Sequence, residues 1–151
     1  YLENSHVLPA MIRKIHLAKC LNEDDWKAVR RDLDLRPVEG VTGSESDAGI
    51  LDKLAKFGIT PESVTLWGTG TPMREFLWSE EMADASVHVL LNVDFKDTYT
   101  EGSKDIRNCH INVGTGKEIS IREVAGMIMR KFNLRVTFFG IVLNLTVRCV
   151  N

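Results

Sequence analysis

Three parts of the chain carry apolar residues at the three- and four-residue spacing of an amphipathic helix. The first runs from about Pro9 to Leu21, because proline is tolerated in a first helical turn. The second begins at Ser79 and ends near Asn92. The third follows Ser120, which predicts a capping box with Glu123. The second helix has an apolar stripe that we expect to face inward, made of Met82, Ala85, Ser86 and Val89.

Shorter alternating runs predict strands beside two glycine-containing bends. Residues 64–67 and 75–78 flank the bend Gly68-Thr69-Gly70, and residues 109–113 lead into a second bend, Gly114-Thr115-Gly116. A further strand pattern covers residues 135–139. Strands that alternate with helices in this way predict a mixed α/β domain.

The segment from residue 22 to residue 63 differs in composition from its neighbours. It is rich in charges and contains four glycines, and its single helical signal ends at Gly58. We expect a charged surface insertion here. The helical signal consists of Ile50, Leu51, Leu54 and Phe57.

Composition narrows the class of protein. The 151 residues are 44% hydrophobic, which suits one compact domain. The 19 basic and 21 acidic residues give a net charge of -2 with no basic block, so the chain does not look like a nucleic-acid binder. Three cysteines without a Cys-x-x-Cys pair predict neither a disulfide framework nor a zinc site, and they suit the cytoplasm. The longest apolar run, near residues 136–145, is too short to span a bilayer, and we expect no signal peptide before the first helix.

Candidate chemistry concentrates at the two bends. Arg74 follows the first bend, where a planar fork of donors suits a phosphate; the alternative is an ordinary tight loop between strands. The second bend is followed by Lys117 and resembles the opening of a phosphate loop, but it lacks the spacing of one, which favours a structural turn. No Tyr-x-x-x-Lys pair occurs, and no cofactor loop for NAD(P) is evident.

His6 differs from the other three histidines because it precedes the first helix among polar neighbours. A histidine in that position can face a ligand and titrate near neutral pH, although a solvated side chain is the alternative. Cys109 lies in a strand pattern and reads as a small core residue rather than a nucleophile.

Four motifs together resemble the GDP-L-fucose synthases, a family within the extended short-chain dehydrogenases and epimerases. The resemblance covers residues 1 to about 139. Its motifs are Glu-Asn-Ser-His-Val-Leu-Pro-Ala at residues 3–10, Leu-Trp-Gly-Thr-Gly-Thr-Pro-Met-Arg-Glu-Phe-Leu at 66–77, Met-Ala-Asp-Ala-Ser at 82–86 and Cys-His-Ile-Asn-Val-Gly-Thr-Gly at 109–116.

The resemblance implies a reaction and a place within a larger enzyme. Members of the family convert GDP-4-keto-6-deoxy-D-mannose to GDP-L-fucose by epimerisation at C3 and C5 and reduction of the 4-keto group with NADPH. The chain then corresponds to the C-terminal substrate-binding portion of a Rossmann-type enzyme, without its N-terminal cofactor-binding half. NADPH belongs to the intact enzyme, which is expected to be a cytoplasmic homodimer, and this chain alone is expected to be inactive.

Site residues also follow from the resemblance. His6 matches the histidine that catalyses epimerisation, whereas Cys109 does not match the family's catalytic cysteine. Arg74 matches a contact to the pyrophosphate, and Trp67 is expected to wall the same pocket. The basic pair Arg13 and Lys14 resembles one in which a single member reaches the diphosphate. Two apolar residues, Val7 and Met11, are expected near the ligand, with a pure core role as the alternative.

The chain departs from the family after about residue 139. Members of the family have a loop of the type Asp-Ser-Ser-Lys-Pro-Asp-Gly-Thr-Met-Arg-Lys there. A single DNA string can encode that loop in one frame and the observed residues from Ile141 onward in another. We therefore expect a substrate-binding domain over residues 1–139 and a frameshifted tail over residues 140–151. Two alternatives stay open: another nucleotide-sugar epimerase or dehydratase, and a non-catalytic nucleotide-binding or interaction module.

Overall fold

A computed structural model describes residues 2, 5–102, 104–139 and 142–147. The chain divides into two compact units, Tyr1–Pro72 with Ser120–Asn151, and Met73–Ile119. The helices are α1 (Val7–Asn22), α2 (Trp26–Leu35), α3 (Asp47–Lys56), α4 (Ser79–Asn92) and α5 (Ile121–Lys131), with a 3₁₀ turn at Phe95–Thr98. The strands are β1 (Ser63–Thr65), β2 (Met73–Glu75), β3 (Glu118–Ser120), β4 (Leu134–Phe139) and β5 (Val142–Val147).

Helix α1 is the centre of the first unit. It packs against α2, α5 and β1, and Ile15, Leu17 and Ala18 on its buried face have no exposed surface. The prediction of a helix at Pro9–Leu21 is confirmed, with two more residues before it and one after. Burying this stripe stabilises the unit, because apolar area removed from water is worth roughly 25 cal/mol per Å².

Contrary to the prediction from the sequence, the segment 22–63 is not wholly on the surface. Helices α2 and α3 each have a buried face that contributes to the core. Val29 and Leu33 on α2, and Ile50 and Leu54 on α3, are fully buried. Of these two helices the sequence predicts only α3. Helix α2 has just two buried apolar residues among many charged ones, so its amphipathic pattern is weak. Both helices are capped: Asp25 accepts a hydrogen bond from Ala28 N at 3.0 Å, and Ser46 accepts one from Gly49 N at 3.2 Å.

Three strands of the first unit form an antiparallel sheet in the order β1-β5-β4. Strand β5 lies in the centre of this sheet. Its Asn144 pairs with Ser63 of β1, and its Val147 pairs with Leu134 of β4. The strand predicted over 135–139 is confirmed as β4. The segment predicted as a frameshifted tail contains β5, while residues 140, 141 and 148–151 lie outside the described residues; the frameshift itself stays a prediction.

The capping box predicted at the start of α5 is confirmed. Glu123 N donates to Ser120 Oγ at 3.2 Å, and Ser120 N donates to Glu123 Oε2 at 2.9 Å. The glutamate lies in the positive first turn of the helix, and hydrogen bonds from Ser120 lower the pKa of its carboxyl. Helix α5 then contributes Ala125 and Met129, both without exposed surface, to the core of the first unit.

The second unit contains β2, α4, the 3₁₀ turn and most of β3, and three expectations for it are wrong. No residue of α4 is buried, and Met82 on its expected inward stripe is 43% exposed. Residues 109–113 are not a strand, because alternation alone does not supply a neighbour with which to pair; β2 pairs instead with β3, at Glu118–Ser120. The strand expected at 75–78 is likewise displaced to Met73–Glu75.

Candidate ligand-binding site

A cavity of about 240 Å³ lies in the first unit, beside the first turns of α1. The chain leaving β1 forms one wall, and the start of α5 closes another. Its lining is apolar apart from a serine and a lysine. The lining residues are Leu2, Ser5, Val7, Ala10, Met11, Lys14, Leu66, Trp67 and Ile121.

Lys14 brings a buried positive charge to this cavity. The residue is 4% exposed, and its Nζ donates to the carbonyl oxygens of Phe57 at 2.5 Å and Thr65 at 3.3 Å. The same atom lies 4.5 Å from the centroid of the Trp67 ring, within the range of a cation–π contact. Burial lowers the pKa of Lys14, since no carboxylate of the described residues forms an ion pair with it. An anion in the cavity would supply the missing counter-charge.

Arg13, one residue earlier, points to a different part of the unit. Its Nη2 lies 2.8 Å from Asp32 Oδ2 on α2, and it also donates to the carbonyl of Arg36. Arg13 is 7% exposed, and its Nη1 is buried without a hydrogen-bond partner among the described residues. The structure therefore separates the basic pair: Arg13 joins α1 to α2, and Lys14 lines the cavity.

The first glycine bend is hydrogen-bonded to the start of α5. Gly70 O accepts from Arg122 N at 2.9 Å, and Pro72 O accepts from Ile121 N at 3.1 Å. Gly70 has a φ of +74°, and a Cβ there would lie 3.3 Å from Arg122 Cβ, so a larger residue fits poorly. The carbonyls of Gly70 and Pro72 therefore satisfy two of the backbone donors at the start of α5, which gives the bend a structural role. Its position places Trp67 and Ile121 on the same cavity.

His6 and Val7 lie at the start of α1. Val7 lines the cavity and is 42% exposed. His6 is the exposed N-cap residue of α1, and its side chain makes no capping hydrogen bond. Its neighbours Ser5 and Val7 line the cavity, whereas His6 is not among the lining residues. The structure therefore brings together Val7, Lys14 and Trp67 from the set predicted by sequence.

Arg74 and the second glycine bend belong to the second unit. Arg74 is exposed, and its Nη1 donates to the carbonyl of Met73 at 2.7 Å. The bend holds the protein's own carboxylate: Glu75 Oε1 accepts from Thr115 Oγ1 at 2.8 Å and from Gly116 N at 2.6 Å. The Thr115 hydroxyl, followed by the Gly116 amide, holds the pKa of the Glu75 carboxyl below its usual range.

Several functional groups escape sequence reasoning. The carbonyls of Phe57 and Thr65 hold Lys14, and main-chain groups leave no trace in residue type. The role of Glu75 depends on a contact with a residue 40 positions away, for which neither motif gives a signal. Among the described residues, no group of three or more potential metal ligands occurs, and no helix has the length and apolarity to cross a membrane.

Comparison with known proteins places this geometry in a family context. Residues 35–114 match the NAD dependent epimerase/dehydratase family. The GDP-L-fucose synthase of Escherichia coli K12 is 32% identical over 127 residues, covering 84% of this chain and 27% of that protein. GDP-L-fucose synthase 1 of Arabidopsis thaliana is 33% identical over 126 residues, covering 83% of this chain and 24% of that protein.

A solved structure gives the same picture for the fold. A GDP-mannoheptose C4 reductase from Campylobacter jejuni, solved with NADP bound, is 38% identical with a TM-score of 0.69. The match covers 86% of this chain and 34% of the reductase. The chain thus spans about a quarter of the length of the curated relatives and about a third of the solved reductase.

Proposed function

Since the chain belongs to the NAD dependent epimerase/dehydratase family, we propose that it is the GDP-sugar-binding portion of a nucleotide-sugar epimerase/reductase. The observation that carries the proposal is Lys14, a buried ammonium on an apolar cavity whose described partners are two carbonyls and an aromatic ring. A diphosphate is the ligand class that such a group favours, because a charge-assisted contact inside a low-dielectric site is strong.

Helix α1 adds a second reason to expect an anion. Its first turn contains no acidic residue, and the N-cap side chain makes no hydrogen bond to the helix. The positive end of the helix dipole is therefore not neutralised from within the helix. Because Val7 and Ala10 from this turn line the cavity, the dipole and the Lys14 charge favour the same sign of ligand.

The apolar part of the cavity suits the remainder of a nucleotide sugar. Trp67 presents an indole that is 69% exposed, a surface on which a planar ring can stack. Val7 and Met11, which line the same cavity, supply aliphatic contact. In this proposal Trp67 and Val7 bind the ligand, Lys14 contacts its diphosphate, and Arg13 stabilises the helix pair without touching it.

The finer proposal is the reaction of the GDP-L-fucose synthases. The 4-keto group of GDP-4-keto-6-deoxy-D-mannose acidifies the C–H bonds at C3 and C5, and epimerisation needs a group that exchanges a proton near neutral pH. His6 is proposed for that role because it is exposed at the start of α1, next in sequence to two lining residues. Arg74 is proposed as a diphosphate contact only because its motif matches that of the GDP-L-fucose synthases.

The described residues do not fit a nicotinamide cofactor. Neither glycine bend has the three-glycine spacing of a dinucleotide loop, and the second already holds the Glu75 carboxylate. We therefore derive no reduction step from this chain; in the proposed enzyme the cofactor binds to residues other than those described.

A second candidate is reduction of a GDP-heptose. The identity to the Campylobacter jejuni GDP-mannoheptose C4 reductase is 38%, higher than the 32% to the Escherichia coli GDP-L-fucose synthase. Both candidates use the same proposed nucleotide contacts and differ in the sugar. Incubating the intact enzyme with each GDP-4-keto sugar and NADPH, and identifying the products, distinguishes them.

Calorimetric titration of the 151-residue chain with GDP, GMP and guanosine tests the proposed ligand. GDP should bind most tightly and guanosine at least roughly tenfold more weakly, since it lacks the charged groups that contact Lys14. Equal affinity for GDP and guanosine would contradict a diphosphate site, and absence of GDP binding to the folded chain would remove the proposal.

A further inference from the structure

The second glycine bend is built around the carboxylate of Glu75. Oε1 of Glu75 receives two hydrogen bonds, from the hydroxyl of Thr115 and the amide of Gly116. These bonds join the end of β2 to a bend 40 residues further along the chain. We call this arrangement of Glu75 with residues 114–116 the carboxylate clasp.

Each residue of the bend has a distinct part in the clasp. A Cβ on Gly114 would lie 2.6 Å from Glu75 Oε1 and 2.8 Å from Oε2, so a larger residue there would require the carboxylate to shift. Thr115 supplies the hydroxyl donor. Gly116 has a φ of +70°, a conformation that glycine adopts without strain and that most other residues avoid. The Gly-Thr-Gly sequence is thus accounted for without a phosphate ligand.

Arg74 precedes Glu75 on β2, and successive side chains of a strand point to opposite faces. Strand β2 is three residues long and all three residues are exposed, so its ladder gives little restraint on its orientation. The clasp restrains one face of the strand at Glu75. Arg74 projects from the other face of the strand, and its Nη1 donates to the carbonyl of Met73 at 2.7 Å.

We propose that Glu75 is a positioning residue, which through the clasp holds β2 so that Arg74 can contact the anionic part of a ligand. The contact between Arg74 and a diphosphate rests on the proposed function, whereas the restraint of Arg74 by Glu75 does not. Fixing a long side chain before binding improves affinity because less conformational freedom is lost on association. Glu75 itself touches no ligand in this proposal.

NMR relaxation of the full chain tests the restraint without any ligand. In Glu75→Ala the backbone order parameter of Arg74 should fall from the rigid range, about 0.85, to about 0.6 or below. Glu75→Gln should retain the rigid value, because its carbonyl oxygen can accept both hydrogen bonds. Glu101→Ala, at an exposed turn of the same unit, is the matched control and should change nothing. A rigid Arg74 in Glu75→Ala overturns the proposal.

A double-mutant cycle with GDP as the probe tests the consequence for binding. Glu75→Ala should weaken GDP binding by roughly threefold to tenfold, the effect expected for one side chain losing its prior order. The same substitution should have no effect in an Arg74→Ala background, since a positioning residue acts only through its target. An equal loss in both backgrounds overturns the role of Glu75 as a positioning residue for Arg74. If Arg74→Ala leaves GDP binding unchanged while the relaxation result holds, the proposed contact of Arg74 fails and the clasp stands.

Discussion

Substitution of two adjacent basic residues, Arg13 and Lys14, should affect two different properties: stability for Arg13 and GDP binding for Lys14. Lys14→Met removes the ammonium from the cavity and keeps an apolar stem of similar length. Arg13→Met removes the partner of Asp32 on α2. The first change addresses binding and the second addresses stability, although the residues are neighbours in the chain.

The expected loss of binding in Lys14→Met follows from the contact it removes. A hydrogen bond to a charged group contributes about 1.5–3 kcal/mol, which corresponds to a roughly 10- to 150-fold weaker affinity for GDP. The free energy of unfolding should change by less than about 1 kcal/mol. The substitution loses the hydrogen bonds to Phe57 and Thr65, but it also removes the cost of burying a charge, which is the cost that lowers the pKa of Lys14.

Arg13→Met should lower the free energy of unfolding by about 2–4 kcal/mol. Breaking a buried pair by removing one partner typically costs about 3–5 kcal/mol, and Asp32 is not fully buried, its side chain being 17% exposed. GDP affinity should remain within about twofold of the original wherever the variant is folded. Arg13→Lys, which keeps the charge, serves as a milder variant if Arg13→Met does not fold.

Urea unfolding followed by circular dichroism measures the stabilities, and calorimetric titration measures the GDP affinities. The reasoning would be refuted if Arg13→Met weakened GDP binding more than Lys14→Met under conditions where both are folded. It would also be refuted if Lys14→Met proved the more destabilised of the two.

Three further predictions follow from individual contacts. GDP affinity should fall as pH rises through the lowered pKa of Lys14, because an anion binds to the protonated amine. Calorimetric titrations at a series of pH values should show this fall in the original chain and not in Lys14→Met. Gly70→Ala should lower the free energy of unfolding, measured by urea denaturation, by about 1–2 kcal/mol, since residue 70 has a φ of +74°. An unchanged urea midpoint of unfolding would show that the bend can relax. The Glu123 cap, whose folded pKa is lowered, should stabilise α5 above the unfolded pKa and lose that effect as pH falls through the folded pKa; acid titration by circular dichroism should show this loss, and Glu123→Gln should lack it.

The sequence predicts the helices better than the strands. Helices α1 and α5 carry their signals locally, in a wide apolar stripe or in a capping box. Strand positions depend on a pairing partner, so the alternation at residues 109–113 predicts a strand that does not form. Helix α2 was missed because charges dominate it and its buried stripe is only Val29 and Leu33.

The candidate site divides in the same way. Motif resemblance indicates Trp67, Val7 and one member of the pair Arg13 and Lys14, and the structure places Trp67, Val7 and Lys14 on one cavity. It cannot choose between Arg13 and Lys14, because that choice depends on which side of α1 faces α2. The clasp around Glu75 depends on a long-range contact and on space that a Cβ on Gly114 would fill, and neither is visible in local pattern.

The most direct measurement of a GDP-sugar site is the indole N–H spectrum of the chain during titration with GDP. The chain has three tryptophans, and Trp67 alone among them lines the cavity beside Lys14. The indole resonance of Trp67 should shift and saturate, that of Trp26 should not move, and Lys14→Met should need roughly 10- to 150-fold more GDP for the same shift. A Trp67 resonance that stays in place at saturating GDP, or that shifts equally well in Lys14→Met, would contradict the account.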